Sequence, residues 1–219
     1  MADAAIVSFP INLFLPGSDI APLQRRKQEF YDALTRRAPE SAGAGSGAAA
    51  PMFSVEGSNY EDALMKANNI LLAAMRGDGL PLWPATRERV EWVLRGTALP
   101  REHRIGKFPP RGGIATVEMC AVALAMAGGR PEYLPVLIAA VDAFLDPASN
   151  AEQLQAASGS AFPVVIVNGP VGKQIRLNSG FGCLGPDPQH PAGASIGRAL
   201  RLLQQNAGGA LPGVGAMAN

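Results

Sequence analysis

The chain reads as a helix-rich α+β protein, a helical hairpin core packed with a small β element, plus an extended N-terminal arm. Three observations predict this. Apolar residues recur at helical spacing along the body, most clearly at Leu134, Leu137, Ile138, Val141, Phe144 and Leu145. The continuous β-branched run Val164 to Val167, bounded by Pro163 and Asn168-Gly169, has the pattern of a buried strand. Ser41 to Pro51 is a low-complexity Gly/Ala/Ser stretch that sets the first residues apart from the rest.

Residues 1–51 therefore form an arm, a short helix and a linker, and residues 52–219 a single globular helix-rich domain. The arm, Ala5 to Leu15, is apolar but broken by Pro10, and Gln24 to Arg37 makes a short charged helix with Phe30, Leu34 and Tyr31 as contacts. An apolar arm on a flexible linker implies a second protein subunit or self-association; a sticky tail without a partner is the equal alternative. In a chain of 219 residues, 47% hydrophobic and 17% charged, the body is long enough to bury a core.

The body follows in order. Ser58-Asn-Tyr-Glu61 matches a capping box, and Leu64, Ala67, Leu71 and Met75 continue that helix until Gly77-Asp-Gly79. Leu80 to Pro84 is extended by its prolines. Thr86 caps a helix over Arg87–Leu94, with Val90, Val93 and Leu94 inward. Phe108-Pro-Pro-Arg-Gly-Gly113 connects to a helix over Thr116–Ala127, which buries Val117, Cys120, Ala121 and Leu124. Gly128-Gly129 turns the chain, and Pro131 suits the first turn of the next helix. Asp146-Pro147 stops it, and Ser149-Asn-Ala-Glu152 offers a second capping box. The strand at 164–167 comes next, with a second one allowed at Gln174–Leu177. The last helix runs from an N-cap at Ser195 to Asn206, with Ile196, Ala199, Leu200 and Leu203 on one face.

Composition narrows the function. The net charge is +1, so no global field draws in nucleic acid or a membrane surface. A basic patch from Arg87 to Arg111 lacks the aromatic interleaving that base stacking needs. No run spans a bilayer. Asp3, Pro10 and Pro16 argue against a secretory signal, so the expected location is cytoplasmic. Two cysteines and two histidines without a CxxC spacing are too sparse for a zinc site. GxGxxG, P-loop, HExxH and GxSxG motifs are absent, and no cofactor is assigned.

Candidate site residues lie at element ends. Asn168 follows the apolar run, and Asn178 opens a glycine-rich loop that reaches Pro186 and allows close backbone approach to a ligand. Arg198, near the start of the last helix, reads as an anion binder or as a solvated surface residue. Glu118, in a first helical turn, reads as a dipole partner or a general base. Arg130 and Glu132 flank a helix start. Cys183, in the glycine loop near His190, reads as a reactive thiol or a structural one, whereas Cys120 is a small core residue. Taken together, Arg130 and Arg198 would hold an anionic substrate, Asn168 and Asn178 orient it, Glu118 move a proton, and Glu132 join them in the pocket.

A string of short motifs resembles a bacterial domain of the UGSC group, proteins named for a Sec/Cys-Gly-Ser-Cys motif. The matching segments are Asp78-Gly-Leu-Pro81 with Thr86 to Val90; Pro109-Pro110 with Ala115 to Glu118; Met126-Ala-Gly128 with Arg130 to Val136; Val167 to Pro170; Gly185-Pro186; and Ile196 to Ala199 with Asn206 and Gly208-Gly209. They span about Glu61 to Gly213. The resemblance implies a bacterial protein tied to thiol- or selenol-linked redox or bond-cleaving chemistry, with the reactive chalcogen on a companion domain. This chain departs from the group in lacking the Sec/Cys-Gly-Ser-Cys motif and in having Gly129 where the group's pattern has cysteine. The expectation is one subunit of a heteromeric enzyme, an oxidoreductase or lyase acting on a small anionic molecule. The alternatives are a non-catalytic structural or regulatory subunit and a homo-oligomeric enzyme with Cys183 as nucleophile.

Overall fold

A computed structural model describes residues 17, 19–35, 52–156, 162–182, 187–213 and 216, and the chain divides into two units, Met1–Met52 and Phe53–Asn219. In the first unit the charged helix is two helices, α1 (Ala21–Arg25) and α2 (Lys27–Thr35), with a break at Arg26. Asp19 accepts from the Ala21 N–H at the start of α1, Arg26 pairs with Glu29, and Tyr31 is exposed beneath the Lys27 ammonium. The expected arm over Ala5–Leu15 and the linker lie outside the described residues.

Among its described residues the second unit is helix-rich with one two-stranded antiparallel sheet. Its helices are α3 (Tyr60–Ala73), α4 (Arg87–Leu94), α5 (Val117–Met126), α6 (Leu134–Leu145), α7 (Ala151–Ala156), α8 (Pro170–Gln174) and α9 (Ala192–Asn206). The strands, β1 (Arg104–Phe108) and β2 (Gly113–Thr116), pair Phe108 with Gly113 and Arg104 with Thr116. Helix α5 is central. It packs on α4, α6 and α9, and seven of its ten residues are buried. Such a helix is apolar almost all round, as Val117-Glu-Met-Cys-Ala-Val-Ala-Leu-Ala-Met126 is. Thr116 caps it by accepting from the Met119 N–H, and Thr86 caps α4 in the same way through Arg89.

The turn between α5 and α6 closes with Gly128 at φ +72°. There the Gly129 N–H reaches back to Leu124 O and the Gly128 N–H to Ala125 O. This left-handed stop satisfies carbonyls that the helix end leaves open. Tyr133 and Leu134 then enter the core with Leu137 and Val141. Phe108, at the end of β1, is fully buried and stacks on Phe144 of α6 with ring centroids 5.4 Å apart. The hairpin turn rests on the end of α9, where the Arg111 N–H donates to Gly208 O. A Cβ on Gly113 would stand 2.1 Å from Ala207 O, so only glycine allows that approach.

Five expectations are corrected. The run 164–167 is extended but is not a strand: residues 162–168 form no backbone ladder among the described residues. Every second residue, Pro163, Val165 and Val167, turns inward, and Phe162, Val164 and Ile166 face out. Gln174–Leu177 is not a strand either, because Pro170 starts α8 and Arg176 ends it in a left-handed turn at φ +58°. Helix α9 starts at Ala192, so Ser195 is buried inside it rather than capping it. At α3 the cap is shifted by one residue: Asn59 accepts from the Asp62 N–H, and Asp62 accepts from the Ser58 N–H. The arrangement resembles a capping box with Asn and Asp in place of Ser and Glu, except that the carboxylate bonds the N–H one residue before the cap. Near Ser149, the hydroxyl donates to Phe144 O at 2.6 Å instead of capping α7.

Candidate functional site

A groove of about 720 Å³ lies in the second unit between α6, α7, the extended segment 162–168 and α9. Each wall has a local cause. Along α6, Ala139, Ala140 and Ala143 put small side chains on one face and leave room beside the helix. Opposite them, the prolines and β-branched residues of 162–167 hold the chain extended and present Val165 and Val167. Leu200 and Gln204, one turn apart on α9, and Gln155 of α7 complete the lining. A volume of this size suits a drug-sized ligand, and an apolar lining with a few polar groups is what such sites have.

The polar groups are unusual. Gln155 is 1% exposed, and both its Oε1 and its Nε2 are buried without a hydrogen-bond partner. Gln204 is also 1% exposed, with Nε2 in the same condition. Most buried polar side-chain atoms are bonded, and each exception calls for an explanation. Leaving such a group unpaired costs about 1–3 kcal/mol. No charged residue lines the groove among the described residues.

The residues expected to make a polar pocket are not brought together. Asn168 lines the groove at the end of its extended wall. Arg198 is elsewhere and fully engaged: it holds Asp78 by two bonds and donates to Leu80 O and Pro81 O. Asp78 lies below the usual carboxylate range because of the hydrogen bond from Arg198. Glu118 accepts from Arg101 at 2.6 Å, and Arg101 also binds Glu91. That basic patch is thus partly taken up within the fold, as is Arg89, whose guanidinium lies 4.6 Å from the Trp83 ring centre. Arg130 and Glu132 are exposed at the turn into α6. Asn178 shapes its own loop, accepting from the Gly180 N–H and donating to Phe181 O. In that loop Asp187 is held below the carboxylate range by its hydrogen bond with His190. Cys183 lies outside the described residues. Cys120 is fully buried, and burial pushes its thiol up to about 12.

Gln155 and Gln204 were not singled out by sequence reasoning. A glutamine in a helix ordinarily reads as surface. The available signal was phase: Gln204 is four residues beyond Leu200 on the buried stripe of α9, and Gln155 four beyond Ala151. Among the described residues no three His, Cys, Asp or Glu side chains are placed to share a metal ion, and no helix is long and apolar enough to cross a membrane. No family model, curated protein or solved structure matches this chain.

Proposed function

We propose that this chain binds a small molecule with a large apolar body in the groove between α6, α7 and α9, and does so as one subunit of a heteromeric enzyme whose reacting groups lie on a partner chain. The observation that carries the reading is the groove itself, apolar in lining and floored by unpartnered amides. The ligand differs from the anion expected from sequence, since Arg198 is neutralised by Asp78 and no cation lines the groove among the described residues. The partner chain is supported by the UGSC resemblance. It is supported also by the outer row of the groove's lip, where Phe162, Val164 and Ile166 stay exposed, Ile166 at 80%, on backbone that pairs with no strand among the described residues.

Titration with Nile red, a neutral apolar dye, tests the groove. The expected result is a saturable blue-shifted signal that Ala140→Phe, which fills the space beside α6, weakens at least tenfold. A wild-type protein that leaves the dye in water overturns the proposal. Native mass spectrometry of the chain purified with its partner tests the second half: Ile166→Lys should release the partner and leave the fold intact. A second reading, an enzyme with Cys183 as nucleophile, draws on the Asp187–His190 pair, which orients an imidazole as a general base is oriented. Unchanged turnover in Cys183→Ser removes it.

A further inference from the structure

We infer that the ligand of this groove is a neutral carboxamide, a molecule with a hydrocarbon or aryl body and one amide end that meets Gln155 and Gln204. The inference rests on the groove reading above and adds the chemistry of the end group. Gln155 offers a donor and an acceptor on one planar amide, and neither is bonded. Because both atoms are unpartnered, exchanging the oxygen and nitrogen of this side chain changes nothing in the requirement. A complementary group must accept from one atom and donate to the other. Gln204 Nε2 adds a further donor, which asks for an acceptor with a second lone pair.

A carboxamide meets all three demands: its N–H donates to Gln155 Oε1, and its carbonyl oxygen accepts from Gln155 Nε2 and Gln204 Nε2. A carboxylate meets only the accepting half, and its charge would face Gln155 Oε1. It would also enter a groove with no cation among its described lining residues, where desolvation disfavours the charged form. A hydroxyl has a single proton and no planar pair of groups. The alanine face of α6 and the valines opposite it contact the apolar body and add no directional demand. The amide atoms lie beneath the surface, shielded from water, in residues that line the groove.

The test uses the full chain and three probes of equal length, octanamide, octanoate and 1-octanol, each displacing Nile red at pH 7. Octanamide should displace the dye at a concentration at least tenfold lower than octanoate. Gln155→Met should weaken octanamide about tenfold more than it weakens Nile red or 1-octanol. The same substitution should keep or raise Tm in the absence of ligand, since it removes a buried unpartnered amide. Equal displacement by the three probes, or octanamide binding indifferent to Gln155→Met, overturns the carboxamide assignment and leaves the groove reading standing. A fall in Tm of Gln155→Met also overturns it, because the amide is then bonded in the resting protein, for instance by internal water. If the wild type binds no Nile red, the groove reading fails and takes this inference with it. Should Gln155→Met not fold, Gln204→Met carries the same comparison.

Discussion

Arg198 of α9 and Asp78 of the loop after α3 form a side-on, two-bond ion pair, Nε to Oδ2 at 2.7 Å and Nη2 to Oδ1 at 2.9 Å. The pair joins residues 120 positions apart. It is the first of a row along α9. Gln205 Nε2 donates to Met75 O and Gly77 O at 2.8 Å each, and Asn206 Nδ2 donates to Arg76 O. On the loop's far side, Asn68 of α3 accepts from the Leu82 N–H and donates to Leu82 O. The polar face of α9 is thus a clamp on residues 75–81, and Leu82 follows into the core.

Replacing Asp78 by Asn should destabilise the protein by about 2 kcal/mol at pH 7, the range for hydrogen bonds to a charged group in a partly buried pair. The pH dependence has a definite sign. Asp78 is depressed below its ordinary value of 3.8, so its contribution is present above that value and is lost as pH falls through the lower folded-state pKa. Urea unfolding of wild type and Asp78→Asn from pH 7 to pH 3 should show two stabilities that converge only at the acid end.

Met75 ends α3 in the left-handed region at φ +56°, with the Arg76 N–H bonded to Leu71 O. Glycine adopts this conformation without the steric penalty of a side chain. Met75→Gly should raise stability by about 0.5 kcal/mol, since the methionine is largely exposed and its carbonyl bond to Gln205 is kept. Thermal unfolding reads this directly; a lower Tm would mean the methionine side chain packs in solution.

Cys120 should resist alkylation in the folded chain. Its thiol is fully buried in α5 and pushed up to about 12, so thiolate is scarce at pH 8. Peptide mapping after iodoacetamide should find residue 120 unmodified in buffer and carbamidomethylated in urea.

Cysteine at position 129, as in the UGSC pattern, should be poorly tolerated. A Cβ there would lie 2.3 Å from Leu124 Cδ1 and 3.0 Å from Leu124 O. Gly129→Cys should cost about 1–3 kcal/mol, the range for overpacking. In a Leu124→Ala background the penalty should shrink, and the four denaturation curves of that double-mutant cycle measure the coupling.

Helix positions were legible where a cap and a period agreed. Thr86 precedes an apolar stripe and caps as expected, whereas Thr116, read as the first residue of its helix, is that helix's cap. The hairpin Arg104–Thr116 was not legible: Gly106 and Lys107 interrupt its first strand, and its inward anchor, Phe108, stacks on Phe144 of α6, 36 positions away. Val164–Val167 misled because its residues are apolar on both sides while only one side is covered. The site was less visible still. Arg198 and Glu118 look identical in sequence whether they face substrate or a partner carboxylate or guanidinium, since Asp78 and Arg101 are distant along the chain. Only the tertiary fold decides which charge is spent, and only there do Gln155 and Gln204 appear as buried amides.

The position of α5 has a consequence for synthesis on the ribosome. Of the helices that enclose it, α4 and α6 leave the exit tunnel close in time to α5, but α9 is made well downstream. Until then the side of α5 that α9 will cover stands unburied. A nascent chain stalled between α6 and α9 should therefore recruit a chaperone that a chain released after Asn206 no longer binds.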